Sequence, residues 1–179
     1  ELDDLSKKFL NLNDVGMAGE EEKEQSFTTW ENALQKAKFF AERTKLPTIA
    51  DDTGLFVDYL KGLPGVAAKR SASTPTKRIQ RLLHDMRGAR AKNRGAFFQT
   101  SVCLYDPVSI NFSIFNGRMN GVIAKKKRGI GRPGMEYDSV FFYPPAKKML
   151  SAMTVTDKNL ISHRGQAVNQ LKFFLERHY

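Results

Sequence analysis

The chain has little of what marks secreted or membrane proteins. Cysteine occurs once in 179 residues, at Cys103, which excludes an internal disulfide and favours a reducing compartment. The longest apolar runs, such as Val-Phe-Phe-Tyr at residues 140–143, fall far short of the roughly 20 residues that a membrane-spanning helix needs. No signal peptide is visible. We therefore expect a cytoplasmic protein without a membrane partner.

Acidic side chains are fewer than basic ones. The chain has 29 Lys and Arg against 19 Asp and Glu, and the net charge of +10 calls for an anionic partner. Basic residues gather at residues 69–70, 77–94 and 125–128. Nucleic acid is the generic inference, but a nucleoside triphosphate offers similar chemistry, and charge alone does not choose between them. With 41% hydrophobic and 27% charged residues, the composition predicts one soluble domain over residues 1–179.

The clearest helix of the first half begins near residue 28. Thr28 and Glu31 have the spacing of a capping box, and Lys45-Leu46-Pro47 ends the pattern. Apolar residues of one face recur at the helical period: Trp30, Ala33, Leu34, Ala37 and Ala41. Earlier in the chain, Leu2, Leu5 and Phe9 have helical spacing, and residues 10–12 could form a short strand.

A second helix is predicted between a cap at Ser73 or Thr74 and Gly88. Pro75 suits its first turn. Its apolar face is formed by Ile79, Leu82, Leu83 and Met86. Arg78 and Arg81 then lie on the solvated side and are interpreted as ordinary surface charge.

The middle of the chain changes to a period of two. Alternation over residues 97–104, a turn at Asp106-Pro107 and renewed alternation over residues 110–114 predict a β-hairpin. Gly117 and Gly121 in the returning strand indicate a bulge or bend. Residues 129–134 match G-x-G-x-x-G, but Pro133 lies inside and no helix follows, so a glycine-rich loop is the better interpretation.

The last third of the chain adds one strand and one helix. An apolar strand is expected over residues 139–143. A C-terminal helix carries Leu160, Arg164, Ala167, Val168, Leu171 and Leu175 at helical spacing.

Two adjacent carboxylates follow a short apolar run. Residues 47–55 read Pro-Thr-Ile-Ala-Asp-Asp-Thr-Gly-Leu, typical of a buried strand that ends at a site. Successive strand residues face opposite ways, so only one of Asp51 and Asp52 need point into that site. Two buried charges this close need a counter-ion such as Mg²⁺. A polar turn between two strands explains the same residues about as well.

Three motifs in order resemble the inosine triphosphate pyrophosphatase family. Residues 49–55 (Ile-Ala-Asp-Asp-Thr-Gly-Leu), with Val57-Asp58 and Gly62-Leu63-Pro64-Gly65 behind them, look like its signature. Residues 158–167 (Lys-Asn-Leu-Ile-Ser-His-Arg-Gly-Gln-Ala) and residues 30–37 (Trp-Glu-Asn-Ala-Leu-Gln-Lys-Ala) match further motifs. The resemblance implies an α/β fold, with an elongated mixed β-sheet flanked by helices and two lobes around a central cleft. It also implies a homodimer.

The same resemblance implies hydrolysis of ITP, dITP and XTP to the monophosphate and pyrophosphate with Mg²⁺. Asp52 matches the central carboxylate, as base and metal ligand, and Lys36 the lysine that neutralises phosphate charge. Glu24 weakly matches a second metal ligand, because Glu20, Glu21 and Glu22 could take its place. Base and substrate contacts would fall to Thr53, Met135, Glu136, Tyr137, Asp138, Lys158, His163 and Arg164. Tyr137 could stack on the purine.

Two departures from the family pattern matter. Residues 135–139 read Met-Glu-Tyr-Asp-Ser where the family usually has Phe-Gly-Tyr-Asp-Pro, so Glu136 brings bulk and charge close to the base. The family also opens with a strand and a phosphate-binding Thr/Ser-x-Asn-x-x-Lys loop, and this chain starts after that point. We therefore expect further residues before Glu1 in the natural protein.

Two rival functions stay open at this stage. One is a catalytically weak, nucleotide-binding relative of the family. The other is a basic nucleic-acid-binding protein, but the basic clusters lack the interleaved aromatic residues that stack on exposed bases.

Overall fold

The computed structural model describes residues 9–178, which form both helices and strands. Within these residues there are four α-helices and six β-strands. The helices are α1 (Thr29–Thr44), α2 (Pro75–Asp85), α3 (Val155–Ile161) and α4 (His163–His178). The strands are β1 (Thr48–Val57), β2 (Pro64–Gly65), β3 (Gly95–Asp106), β4 (Asn111–Ile123), β5 (Phe141–Tyr143) and β6 (Lys148–Met149). The predicted α/β class is confirmed.

The start of the chain differs from the sequence prediction. The helical spacing of Leu2 and Leu5 lies outside the described residues. The short strand expected at residues 10–12 is wrong, because this segment leads into a turn. The Asp14 carboxylate accepts the backbone N–H of Asn11 (2.8 Å), and the Asn11 side chain accepts that of Asn13 (2.9 Å). Asn and Asp commonly fold the backbone back in this way, and they do so here.

The six strands form one antiparallel sheet in the order β2-β1-β3-β4-β5-β6. Leu55 pairs with Gly65, Val122 with Phe142, and Phe142 with Met149. Strands β3 and β4 are the predicted hairpin. The Asp106 carboxylate closes the turn between them, accepting the backbone N–H of Val108 (2.9 Å) and the Ser109 hydroxyl (2.7 Å).

Gly121 does not interrupt its strand. Strand β4 runs unbroken through Gly117 and Gly121, and the bulge or bend at these residues stays a prediction. A Cβ at position 121 would overlap the ring of Phe141. Glycine here therefore lets an aromatic ring of the neighbouring strand pack directly on the backbone.

Helix α1 is capped as predicted, and its apolar face is confirmed except at Trp30. The Glu31 backbone N–H donates to the Thr28 hydroxyl (3.3 Å), and that hydroxyl donates to the Glu31 carboxylate (2.6 Å). Ala33, Ala37 and Ala41 are fully buried, whereas Trp30 is 42% exposed. Trp30 therefore lies at the edge of the face that the period assigned to it.

The predicted C-terminal helix is two helices. Ser162 takes an extended conformation (φ −70°, ψ 154°) and separates α3 from α4. Leu160 consequently lies at the end of α3 and is 73% exposed, against the prediction. The predicted apolar face is confirmed in α4, where Ala167, Val168, Leu171 and Leu175 are buried. No helix within residues 9–178 is long and apolar enough to cross a membrane.

The chain divides into two compact units. Of the described residues, the first unit comprises 9–52, 100–117 and 164–178, and the second comprises 53–99 and 118–163. One domain over residues 1–179 and a central cleft therefore stay predictions.

The first unit is built on alternate residues of β3. Cys103 and Tyr105 pack with the buried alanines of α1. Val102 and Leu104 pack with Ala167 and Leu171 of α4. Because neighbouring strand residues point to opposite faces, α1 and α4 cover the two faces of this part of the sheet.

The second unit has its own core around α2. Ile79, Leu82 and Met86 are buried there with Phe98 and Phe141. Thr74 caps the helix by accepting the backbone N–H of Lys77 (3.2 Å).

Arg94, at the end of the basic run of residues 77–94, is only 5% exposed. Its guanidinium donates to the backbone carbonyls of Ile123 (2.7 Å), Met86 (3.0 Å) and Ala124 (3.0 Å), and burial lowers its pKa. Part of the basic run is therefore structural, and not a surface for an anionic partner.

Candidate active site

In the first unit, Asp51 and Asp52 face different surroundings at the middle of β1. Asp52 is 6% exposed, and one of its carboxylate oxygens accepts the Asn32 amide (3.1 Å). The Asp51 carboxylate accepts two N–H groups of Arg164, at 3.1 Å from Nε and 2.8 Å from Nη2. Alternation along the strand thus separates the two charges, as the sequence led us to expect.

Lys36 connects the acidic side chains of this unit. Its Nζ lies 2.8 Å from a Glu24 carboxylate oxygen and 3.7 Å from Asp52 Oδ1. It also donates to the backbone carbonyl of Asp51. One ammonium group therefore offsets part of the repulsion between two carboxylates that lie far apart in the chain.

The structure separates the acidic residues that the sequence left open. Glu24 contacts Lys36, whereas Glu20 lies 4.0 Å from Arg43. Glu31 makes the capping box of α1 and has the structural role that its spacing predicted. Of Glu20, Glu21, Glu22 and Glu24, it is Glu24 that contacts Lys36, and Lys36 lies close to Asp52.

Asn32 is a site residue that the sequence analysis missed. It is fully buried, donates to Asp52, and its side-chain oxygen accepts the backbone N–H of Ser26 (3.0 Å). Thr29, also buried, lies 2.7 Å from the Ser101 hydroxyl. Thr29, Asn32 and Lys36 follow one another at spacings of three and four, which places them on one side of α1. This polar stripe beside the buried alanines is the sequence pattern from which Asn32 could have been predicted.

Mg²⁺, which the family resemblance implies, suits the oxygen donors of this cluster. Within residues 9–178, no group of three or more His, Cys, Asp or Glu side chains could hold a metal ion by itself. Mg²⁺ usually takes only one or two carboxylates and completes its shell with water and substrate phosphates. Asp52 and Glu24, both within reach of Lys36 Nζ, provide that donor type. The residues present therefore fit the ion.

In the second unit, Asp138 and Lys158 form a buried ion pair. Lys158 Nζ lies 2.6 Å from Asp138 Oδ2 and 3.2 Å from the sulfur of Met135. Both residues are at most 6% exposed, and Arg132 approaches the same carboxylate at 3.8 Å. Burial raises the pKa of Asp138, while the positive charge of Lys158 opposes the shift. The pair brings together two predicted site residues 20 positions apart.

Tyr137 and His163 are buried through different contacts. The Tyr137 hydroxyl donates to the backbone carbonyl of Ala68 (3.0 Å) and lies 3.2 Å from the Ser71 hydroxyl. Burial raises the pKa of Tyr137. The His163 ring stacks on Phe98, with ring centres 4.9 Å apart. Stacking of Tyr137 on a purine stays a prediction.

Glu136 has a partner that the sequence analysis treated as surface charge. Arg78 donates from Nε to a Glu136 carboxylate oxygen, and its Nη2 is in ion-pair contact with the same oxygen. The two side chains are only 14% and 12% exposed, so the prediction for Arg78 is wrong. Met135, at 36% exposure, precedes this residue, and Thr53 is half-buried in β1.

Comparison with known proteins gives the family. A model of the Ham1 family matches residues 1–174, and the chain belongs to that family. The chain is 35% identical to a protein of Coxiella burnetii named dITP/XTP pyrophosphatase, over 97% of this chain and 87% of that protein. An Escherichia coli protein of the same name is 36% identical, over 95% and 86%.

A solved structure agrees with the sequence matches. The Ham1 protein of Coxiella burnetii superposes with a TM-score of 0.88 at 33% identity, covering 98% of this chain and 89% of that one. The resemblance drawn from the three motifs is therefore confirmed at the level of family and fold.

Proposed function

We propose that this protein hydrolyses non-standard purine nucleoside triphosphates (ITP, dITP and XTP) to the nucleoside monophosphate and pyrophosphate. The observation that carries the proposal is the buried Asp52 carboxylate, bound by Asn32 and close to Lys36, in a chain whose relatives are named dITP/XTP pyrophosphatase. A carboxylate held in one orientation beside an ammonium group suits phosphate chemistry, which depends on positioning and charge.

The reaction requires a water molecule to attack the α-phosphorus. The new bond joins the water oxygen to that phosphorus, and the bond to the bridging oxygen breaks, so that pyrophosphate leaves. Asp52 orients the water and accepts its proton. Lys36 neutralises charge on the phosphate oxygens. Mg²⁺, held by Asp52 and Glu24, would supply charge neutralisation and orientation of the triphosphate.

We assign purine recognition to the predicted site residues that take no part in the phosphate chemistry. Lys158, His163 and Arg164 can donate hydrogen bonds, and Thr53 and residues 135–138 complete the set. A donor that binds a 6-keto group stays unpaired against the 6-amino group of adenine. Discrimination from such an unpaired buried donor can reach about 10⁴-fold.

Four further properties belong to the same proposal. The reaction depends on Mg²⁺, as the oxygen donors of Asp52 and Glu24 favour. The protein is a homodimer, which follows from the family resemblance. It works in the cytoplasm, where a single buried thiol at Cys103 would stay reduced. Nucleic acid is not its substrate.

Product analysis tests the function directly. The protein is incubated with dITP, XTP or dATP, with Mg²⁺ or with EDTA, and the products are identified by phosphorus NMR. We expect monophosphate and pyrophosphate from dITP and XTP, little turnover of dATP and none in EDTA. Release of inorganic phosphate as the first product would contradict the proposal. Nucleotide binding without turnover would favour a catalytically weak relative.

A further inference from the structure

Arg78 of α2 and Glu136 form an ion pair that is largely removed from solvent. Arg78 Nε donates to one carboxylate oxygen of Glu136, Nη2 is in ion-pair contact with the same oxygen, and Nη1 donates to the backbone carbonyl of Lys69 (2.8 Å). With 14% and 12% side-chain exposure, both charges have lost most of their water. Each charge of such a pair depends on the other, because removing one leaves the other buried and uncompensated.

Glu136 is the first residue of a short turn, Glu136–Ser139, which also contains Tyr137 and Asp138. On one side of the turn the backbone is packed tightly. A Cβ on Gly131 would lie 2.6 Å from the Cα of Glu136 and 2.7 Å from the carbonyl oxygen of Met135. Beyond Glu136, the Lys158–Asp138 pair holds the other end of the turn.

On another side, the turn borders open space. A pocket of about 260 Å³ is lined by Tyr137 together with Leu60, Leu63, Arg78, Arg81 and Leu82, among others. Tyr137 itself is buried in the core of this unit, and its hydroxyl donates to the backbone carbonyl of Ala68. The Glu136 side chain, at the start of the turn, is held by Arg78, which also lines the pocket.

We propose that Arg78, acting through Glu136, is a positioning residue for purine recognition. It fixes the turn that presents Asp138 to Lys158, and with it the hydrogen-bonding groups that read the base. This inference rests on the proposed function wherever it is tested by measuring activity. The planar guanidinium supplies several directed donors at once, which an ammonium group cannot reproduce.

The experiment compares four variants with the unmodified protein. They are Arg78→Ala, Arg78→Lys, the double variant Arg78→Ala with Glu136→Ala, and Lys77→Ala. Lys77 is the matched control because it is an exposed cation one position away on the same helix. For each protein we measure kcat and KM with dITP and dATP, and amide hydrogen exchange over residues 135–140.

We expect Arg78→Ala to raise KM for dITP, to lower selectivity against dATP, and to speed exchange in the turn. A misplacement of about 1 Å can cost up to about 10²-fold in rate, which sets the upper limit for the change in kcat/KM. Arg78→Lys should restore only part of the loss. The double variant should regain thermal stability, since no unpaired charge remains, yet keep the high KM.

Other outcomes overturn the inference. If Arg78→Ala behaves like Lys77→Ala in KM and in exchange, the pair does not position the turn. If the double variant returns to the KM of the unmodified protein, the pair is structural only. If Arg78→Ala fails to fold, Arg78→Lys with unchanged KM and exchange decides against the inference. An unmodified protein that turns over no nucleotide overturns the proposed function, and the exchange data then assign the pair a structural role.

Discussion

At the scale of single residues, Asp51 and Asp52 differ in what surrounds them. Asp52 is almost fully buried and bound by the amide of Asn32, whereas Asp51 faces the guanidinium of Arg164. Neighbours in the chain can thus carry different tasks, because a strand directs their side chains to opposite faces.

We expect Asp52→Asn to fold normally and to lose most turnover. The change keeps the shape and the contact with Asn32 but removes the charge that accepts a proton. Loss of a general base costs about 10²–10⁴-fold in rate. The measurement is kcat with dITP at saturating Mg²⁺, together with the melting temperature. Asp51→Asn serves as the comparison and should lose less. Near-normal turnover by Asp52→Asn would remove Asp52 from the mechanism.

Arg164→Lys should impair substrate binding more than stability. Arg164 gives two directed N–H groups to Asp51, and an ammonium group cannot match that geometry. Both side chains are more than one third exposed, so the pair itself contributes only about 0–1 kcal/mol. KM for dITP and the melting temperature are measured side by side. A large fall in melting temperature with unchanged KM would make Arg164 a structural residue.

Cys103 should make stability depend on alkaline pH. Burial raises the pKa of this thiol from 9.0 to about 12. Between these values the unfolded chain loses the proton and the folded chain keeps it, so the free energy of unfolding falls as pH rises. The slope is at most about 1.4 kcal/mol per pH unit, and the contribution is complete below pH 9. Urea unfolding of the natural protein and of Cys103→Ala is compared between pH 8 and pH 10.5. Equal slopes would show that the thiol is not shielded in this way.

At the scale of elements, the ends of helices were the features best predicted from sequence. The caps at Thr28 and Thr74 were found because a side-chain hydroxyl satisfies a backbone N–H within a few residues, and such contacts are local. The break at Ser162 was missed because neither Gly nor Pro marks it. Trp30 was predicted to be buried but lies at the edge of the apolar face, since the period gives the spacing of that face but not its width.

The cap of α1 gives a direct stability test. Thr28→Ala should destabilise the protein by about 1 kcal/mol, because the Glu31 N–H loses its acceptor. For a chain of this length that corresponds to roughly 2–4 °C in melting temperature. Exposed Thr76, in the first turn of α2, is the control. Thr76→Ala should leave the melting temperature unchanged or slightly raised, because Ala favours helix. Equal effects of the two changes would deny the cap its role.

At the scale of the whole molecule, contacts between distant residues were the part that sequence did not reveal. The motif of residues 49–55 pointed to Asp52, but Asn32 lies 20 positions earlier and joined it only through the fold. Arg78 and Glu136 are 58 positions apart, and the sequence treated Arg78 as surface charge and Glu136 as a substrate contact, with nothing to join them. A single sequence carries the periodicity of each element and no record of which elements meet.

The net charge of +10 should act on the rate of nucleotide capture. A positive protein attracts a triphosphate over distances that salt screens, about 10 Å at 0.1 M ionic strength. We expect kcat/KM for dITP to fall as KCl rises from low concentration to 0.3 M at constant free Mg²⁺, with little change in kcat. A salt-independent kcat/KM would show that the charge is spread away from the path of the substrate.

The alternation of β3 has a consequence for how the gene can change. Its residues pack against α1 and α4 in turn, so deleting one codon inside residues 101–105 would exchange the two sets of side chains. Residues 107–110 form a turn and have no strand register that a deletion could shift. In a library of single-codon deletions, survivors should therefore cluster in this turn and be absent from the strand that precedes it.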